Sequence, residues 1–363
     1  MTAPYLAVAL DGAGWHPAAW READARPTEL LTARYWTDLV REAEDGLLDL
    51  VTFEDSFGLQ STREGVRGRL DATLIAAAVA PRTSRIGLVP TVITSHTEPF
   101  HISKAVATLD YASTGRAGVR VRASAEHAKH VGRRQDLGVD DLLDEAADYV
   151  EVVRRLWDSW EDDAEIRDAA TGRFVDRDKL HYIDFVGRWF SVKGPSITPR
   201  PPQGQPPVFA LAHAAPVYRF AERSVDVVFV TPRDADDAAA ITAQITGVPH
   251  VFADLTVFLD DSAGAAADRL ARLDDLASFT TDTAVFTGTP TGLADLLLAW
   301  QVKGLSGFRL RPGALPHDLT AITRGLVPEL QARGVFRRGY GAGTLRDRLG
   351  LSRPANRYAV GAR

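Results

Sequence analysis

The sequence predicts an α/β chain folded as a closed (β/α)8 TIM barrel with insertions. Two observations carry this. Short apolar runs alternate with segments of helical period about eight times, and strands alternating with helices imply a parallel sheet. The first run leads into Asp11-Gly-Ala-Gly-Trp-His-Pro17, with proline where a helix should start. An open doubly wound sheet would be expected to show G-x-G-x-x-G at that point.

Taken in order, Tyr5–Leu10 reads as the first strand, ended by Asp11-Gly12. Tyr35–Glu44 has helical spacing and stops at Gly46. Leu50–Phe53 is a buried strand ending in Glu54-Asp55. Leu70–Ala80 is a helix closed by Pro81, and Ile86–Val89 a third strand with Pro90-Thr91 at its end. Ile102–Tyr111 is helical. Ala117–Ala123 is the fourth strand, although Arg120 and Arg122 interrupt its apolar run; with Arg116 they fall on alternate positions and so are expected to point one way. Asp140–Trp160 is the best helix, with Leu142, Ala146, Val150, Val153 and Trp157 at steps of three and four.

Glu161 to His181 is polar and loop-like. Arg188–Val192 reads as a short strand before Gly194-Pro195, and a proline-rich connector then leads to the strand Val208–Ala212. A helix from Ala215 to Arg223, the strand Val225–Val230 and a helix Ala235–Ile245 follow. Asp254–Leu259 and Gly307–Leu310 complete the strands. Ala263–Leu276 and a segment opened by Thr289-Pro290 are helices, the latter with a threonine N-cap and proline at its first position. Leu319–Arg333 is the final helix, interrupted by Pro328. We read residues 1–363 as one domain, with an insertion at about 161–206 and a tail at about 337–363.

Composition bounds the function. A formal net charge of −6 argues against a sequence-independent grip on nucleic acid or on an anionic membrane. Cysteine is absent, which excludes disulfides, thiolate metal sites and a cysteine nucleophile. The first residues lack the basic start and apolar core of a signal peptide, and no apolar run approaches the roughly 20 residues of a membrane span. A cytoplasmic protein is expected.

A barrel's active site forms at the C-terminal ends of its strands. Those ends offer Asp11 to His16, Glu54-Asp55, Thr91 to His96, Ala123-Ser124, Ala212-His213, Thr231, and Arg309 to Arg311. They hold no Ser-His-acid order, no H-x-x-x-H pair and no lysine. A polar but chemically mild rim suits a cofactor that does the hard chemistry itself. Each candidate also has a plain reading. Asp55 could cap the next segment, and Thr91 and Ser95 could be turn formers. Trp15, His16 and Trp20 could simply cover the mouth. Arg120 and Arg122, if buried, would be costly without partners.

Further motifs carry a resemblance. They are Thr97-Glu-Pro-Phe100 with Ala107-Thr-Leu-Asp-Tyr111 and Thr114-Gly-Arg-Ala-Gly118; Asp148 to Trp160; Gly187-Arg-Trp-Phe-Ser-Val-Lys-Gly-Pro195 with Pro201-Pro-Gln-Gly204; Phe286-Thr-Gly-Thr-Pro290; and Val327 to Phe336 with Leu345 to Gly350. In that order they resemble the bacterial luciferase-like flavin-dependent monooxygenases, in particular the nitrilotriacetate monooxygenase and desulfurisation group. The resemblance implies a two-component monooxygenase. Reduced FMN, supplied by a separate NAD(P)H-dependent flavin reductase, would bind at the strand ends and oxygenate a small organic substrate through a peroxyflavin. It also implies a homodimer. A deazaflavin coenzyme is the close variant.

Carried over residue by residue, the resemblance implies cofactor contacts at Asp55, Thr91 and Ser95. The strand-4 asparagine of the family is Arg120 here. The phosphate-holding Ala-Gly-x-Ser-x-x-Gly is Leu211-Ala-His-Ala-Ala-Pro-Val217, so both glycines and the serine are missing and Pro216 removes a donor. His213, Ala214 and Arg120 are the replacement candidates, and Trp15 and His16 the candidate substrate contacts. These departures leave a second reading open: a barrel that has lost flavin chemistry and serves as a binding or partner subunit.

Overall fold

The computed structural model describes residues 3–59, 65–124, 126, 128–131 and 137–359. Eight parallel strands close into a barrel: β1 (Tyr5–Leu10), β2 (Leu50–Phe53), β3 (Gly87–Ile93), β4 (Val119–Arg122), β5 (Val208–Ala212), β6 (Val227–Val230), β7 (His250–Leu259) and β8 (Gly307–Pro312). Each pairs with the next in sequence. The ring closes where β8 pairs with β1, Tyr5 lying opposite Gly307. β7 runs beyond the ring, and its last half also carries a short parallel strand, Ala284–Gly288.

Helices cover the outside: α1 (Ala33–Asp45), α2 (Ala72–Val79), α3 (Pro99–Ala112), α4 (Val139–Asp158), α5 (Ala215–Ser224), α6 (Ala235–Gln244), α7 (Ala263–Asp274) and α8 (Pro290–Gln301). Their starts follow from side chains that accept the orphan N–H groups of a first turn. Asp71 accepts from Leu74, Asp234 from Asp236 and Asp237, Ser262 from Ala265, and Thr289 from Gly292. Pro328 does not end the final helix. A π turn over Ile322–Leu326 absorbs it between Ala321 and Val327.

Several sequence expectations need correction. β3 does not stop at Val89 but continues through Pro90 and Thr91 to Ile93. Proline is tolerated because the pairing with β2 ends at Phe53 opposite Pro90. β7 begins at His250, four residues before Asp254, and is apolar on both sides of that charge. The polar stretch after α4 holds a hairpin, Glu165–Asp168 with Arg173–Val175. Arg188 and Trp189 form a turn between Phe185–Val186 and Ser191–Val192, not a strand. Arg116 lies before β4, so strand alternation does not place it. Its guanidinium instead binds the carbonyls of Ala80, Thr83, Ile86 and Ser113.

The floor of the barrel is apolar. Ala7, Leu50, Val89, Phe209, Val227, Phe229 and Phe252 point inward in a layer. Leu345 and Leu349, from the turn of helix at Leu345–Arg348, close it from below. Gly87 makes room for that plug, since a Cβ there would lie 2.7 Å from Leu345 Cδ1. The segment beyond is fastened to the insertion and to the end of α4: Arg353 pairs with Asp162, Tyr358 stacks on His181, and Arg357 pairs with Asp158 of α4. Among the described residues no helix is long and apolar enough to cross a membrane.

Candidate functional site

The mouth of the barrel, at the C-terminal strand ends, is built from charge. In a parallel barrel laterally paired residues face the same side, and the register sets Asp254 of β7 opposite Arg309 of β8. Both side chains are fully buried. The Arg309 guanidinium grips the Asp254 carboxylate with two donors, one of them Nε at 2.8 Å. Its Nη1 also reaches Glu54 Oε1 at 3.0 Å and Thr52 Oγ1 at 3.2 Å. Two residues on, Arg311 donates Nε to Asp254 at 3.0 Å and Nη1 to Asp282 at 2.5 Å. From β4, Arg120 donates Nη1 to Glu54 Oε2 at 2.5 Å and to Thr91 Oγ1 at 3.1 Å.

Three guanidiniums and three carboxylates thus form one chain across the mouth: Arg120, Glu54, Arg309, Asp254, Arg311, Asp282. It neutralises itself. Aromatic faces take up the guanidinium planes, with Arg309 4.1 Å from the centroid of Phe229 below and Arg311 4.3 Å from that of Trp15 above. Burial alone would raise the Glu54 pKa, but Arg120, Arg309 and Arg311 outweigh it and hold the carboxyl down at about 2. Burial also opposes charge on Asp282, yet Arg311 keeps it below its ordinary value.

The eight candidate residues divide. Thr91 and Arg120 belong to the ion chain, and Trp15 covers it. His213 stands at its edge, half exposed, with Nδ1 3.1 Å from Thr231 Oγ1 and Nε2 3.6 Å from Asp282. Burial lowers its pKa, opposed by Asp282, and so disfavours the charged ring. The others are held in local structure. Asp55 accepts the N–H groups of Ser56 and Ala72 and so caps α2. Ser95 Oγ accepts from Ser124 N–H. His16 is buried, accepts the Ala18 N–H on Nδ1 and meets Asp274 through Nε2, which fastens the first loop to α7. Ala214 is the N-cap of α5 with no side chain to offer.

Asp254, Asp282 and the joint role of Arg309 and Arg311 were not singled out from sequence. The signal was present in part: arginines two apart in an apolar strand share a face, and a lone Asp in the run Val251–Leu259 needs a partner.

A flavin phosphate requires free N–H donors or an unpaired cation. At the start of α5, Pro216 has no N–H, and the N–H groups of Val217 and Tyr218 already bond to Ala214 O. Burial disfavours a charge on His213, and Arg233 is paired with Asp237 at the surface. Asp237 and Asp282 add negative charge nearby. The loop has lost the serine and one N–H donor of a phosphate cradle, and the carboxylates beside it oppose a dianion. The mouth is nevertheless not solid. Beside the ion chain, between β4, β5, α4 and α5, lies a cavity of about 550 Å³.

The luciferase-like monooxygenase family model matches residues 14–280. N-acetyl-S-(2-succino)cysteine monooxygenase of Bacillus subtilis is 30% identical, with 98% of each chain covered. One of the subunits of pristinamycin IIA synthase from Streptomyces pristinaespiralis is 33% identical over 99% of both chains. Among solved structures, a long-chain alkane monooxygenase superposes with a TM-score of 0.88, at 22% identity and 96% coverage of each chain.

Proposed function

Since the chain belongs to the luciferase-like monooxygenase family of flavin-dependent enzymes, we propose that it works in a two-component monooxygenase that uses reduced FMN from a separate flavin reductase to oxygenate a small organic substrate. Within that enzyme we assign it the role of partner subunit. A second chain of the same fold would hold the flavin, and a pairing with that chain would take the place of the homodimer expected from sequence. The observation that carries this reading is the ion chain. Among the described residues every cation facing the mouth already has a carboxylate partner: Arg120 with Glu54, Arg309 and Arg311 with Asp254, Arg122 with Glu126.

The physical case is one of competition. Freeing Arg120 or Arg309 for a phosphate would leave a buried carboxylate short of its partner, which costs about 3–5 kcal/mol. That is a large share of what a phosphate contact returns. The end-to-end match to a protein whose name makes it one component of a multi-chain synthase supports the assignment.

The test is an anaerobic titration of the purified chain with oxidised and photoreduced FMN, followed by absorbance and fluorescence. The partner-subunit reading expects no saturable binding in the micromolar range. Saturable binding of reduced FMN that is sharply weakened in His213→Ala would place the phosphate beside that imidazole and overturn the assignment.

A further inference from the structure

The cavity beside the ion chain has the build of a ligand site in its own right. Its walls are Val139, Leu142 and Leu143 from the first turns of α4, and Val217 and Phe220 from α5. Ala123 and Ala210 leave the room that larger side chains would fill. At about 550 Å³ it lies within the range of roughly 300–1,000 Å³ usual for small-molecule pockets. Val139 stands at the entrance 62% exposed, a large apolar side chain left to water where a ligand would cover it.

The charge of the lining decides what can enter. Its described cations are Arg120, Arg122 and Arg311, and its carboxylates Glu54, Glu126 and Asp282. These sum to zero, and each is paired with another charged group. Burial lowers the pKa of His213, the remaining titratable group, and so disfavours a positive charge there. An ion entering would lose water and gain no free counter-charge, which is strongly unfavourable. A neutral molecule would meet apolar walls over most of its surface and could hydrogen-bond at the His213 edge.

We propose that this cavity binds a neutral, largely apolar organic molecule and rejects anions, so that the chain carries a ligand site of its own against the ion chain of the mouth. The proposal rests on the reading that the flavin is held elsewhere.

The test uses two fluorescent probes that share one ring skeleton. N-phenyl-1-naphthylamine is neutral, and 1-anilinonaphthalene-8-sulfonate adds a sulfonate. The full chain is expected to bind the neutral probe at one site and the sulfonate roughly tenfold or more weakly. Two variants locate the site. Val217→Trp fills the cavity, and Val139→Glu puts a charge on an exposed position at its lip, where folding is least at risk. Both should weaken the neutral probe by roughly tenfold or more while the circular dichroism spectrum is unchanged. Equal binding of the two probes, or neutral-probe binding untouched by both variants, overturns the proposal. Failure of both the neutral probe and FMN to bind removes the cavity proposal and leaves the partner-subunit reading standing. Displacement of the neutral probe by FMN defeats the partner-subunit reading itself.

Discussion

The two ends of this barrel are filled by opposite chemistry. The floor is a layer of aromatic and aliphatic side chains, sealed from below by Leu345 and Leu349. The mouth, two strand positions higher, is a lattice of arginine and carboxylate. Phe229 is the boundary: its ring stacks on Phe209 and meets Phe252 edge-to-face in the apolar layer, and it also receives Arg309. Apolar contacts are additive and forgiving, because each side chain gains roughly in proportion to the area it buries. An ion lattice is neither. Each member is stable only while its partners stay, and replacing the whole set by hydrocarbon would cost little or nothing. The floor is thus accounted for by the apolar area it buries, whereas stability alone gives no reason for the mouth to be ionic.

The sharpest way to break the mouth is Asp254→Ala, which removes the carboxylate that Arg309 and Arg311 share and leaves three guanidiniums to two carboxylates. We expect a loss of about 3–5 kcal/mol, read as a fall in the urea midpoint with little change in slope. A loss below about 1 kcal/mol would show the lattice to be wet and loosely held.

Acid probes the same lattice more gently. The Glu54 carboxyl titrates at about 2 in the folded chain, well below its unfolded value. Its contribution is present above the unfolded pKa and is lost as pH falls through the folded one. That contribution is roughly 3 kcal/mol. Urea unfolding measured from about pH 5 down to about pH 2 should fall more steeply in the native chain than in Glu54→Gln. Parallel curves would remove Glu54 from the account.

The smallest change tests the floor. In Gly87→Ala the new methyl meets Leu345 at 2.7 Å and Leu50 Cβ at 2.9 Å. Overpacking of this kind costs about 1–3 kcal/mol. The C-terminal plug should loosen first, seen as faster hydrogen exchange at Leu345 and Leu349 than at the barrel strands. Uniform acceleration through the barrel would argue that plug and barrel open as one unit.

Much of the fold was legible because its strands are short apolar runs closed by polar punctuation. β1, β2 and β5 were read to the residue. Misreadings came where punctuation and structure part company. Pro90 looks like a strand end and lies inside β3. Asp254 looks like a strand start, yet it is an interior member of β7 whose charge is answered 55 residues later by Arg309. The exposed hairpin Glu165–Asp168 with Arg173–Val175 buries no face and so leaves no periodic signal. At the site, the odd chemistry of Arg120 could be seen in the sequence. Its answer, Glu54, lies 66 residues away and required the closed barrel.

Temperature separates the two ends further. Hydrophobic stabilisation fades on cooling, so the sealed floor weakens in the cold. The desolvation penalty on buried ions shrinks on heating, because the hydration of charged groups becomes less favourable as temperature rises. The arginine lattice is thus least costly when the molecule is hot. One barrel carries a cold-sensitive base and a heat-tolerant rim, and on cooling the floor is the end of the eight strands that weakens first.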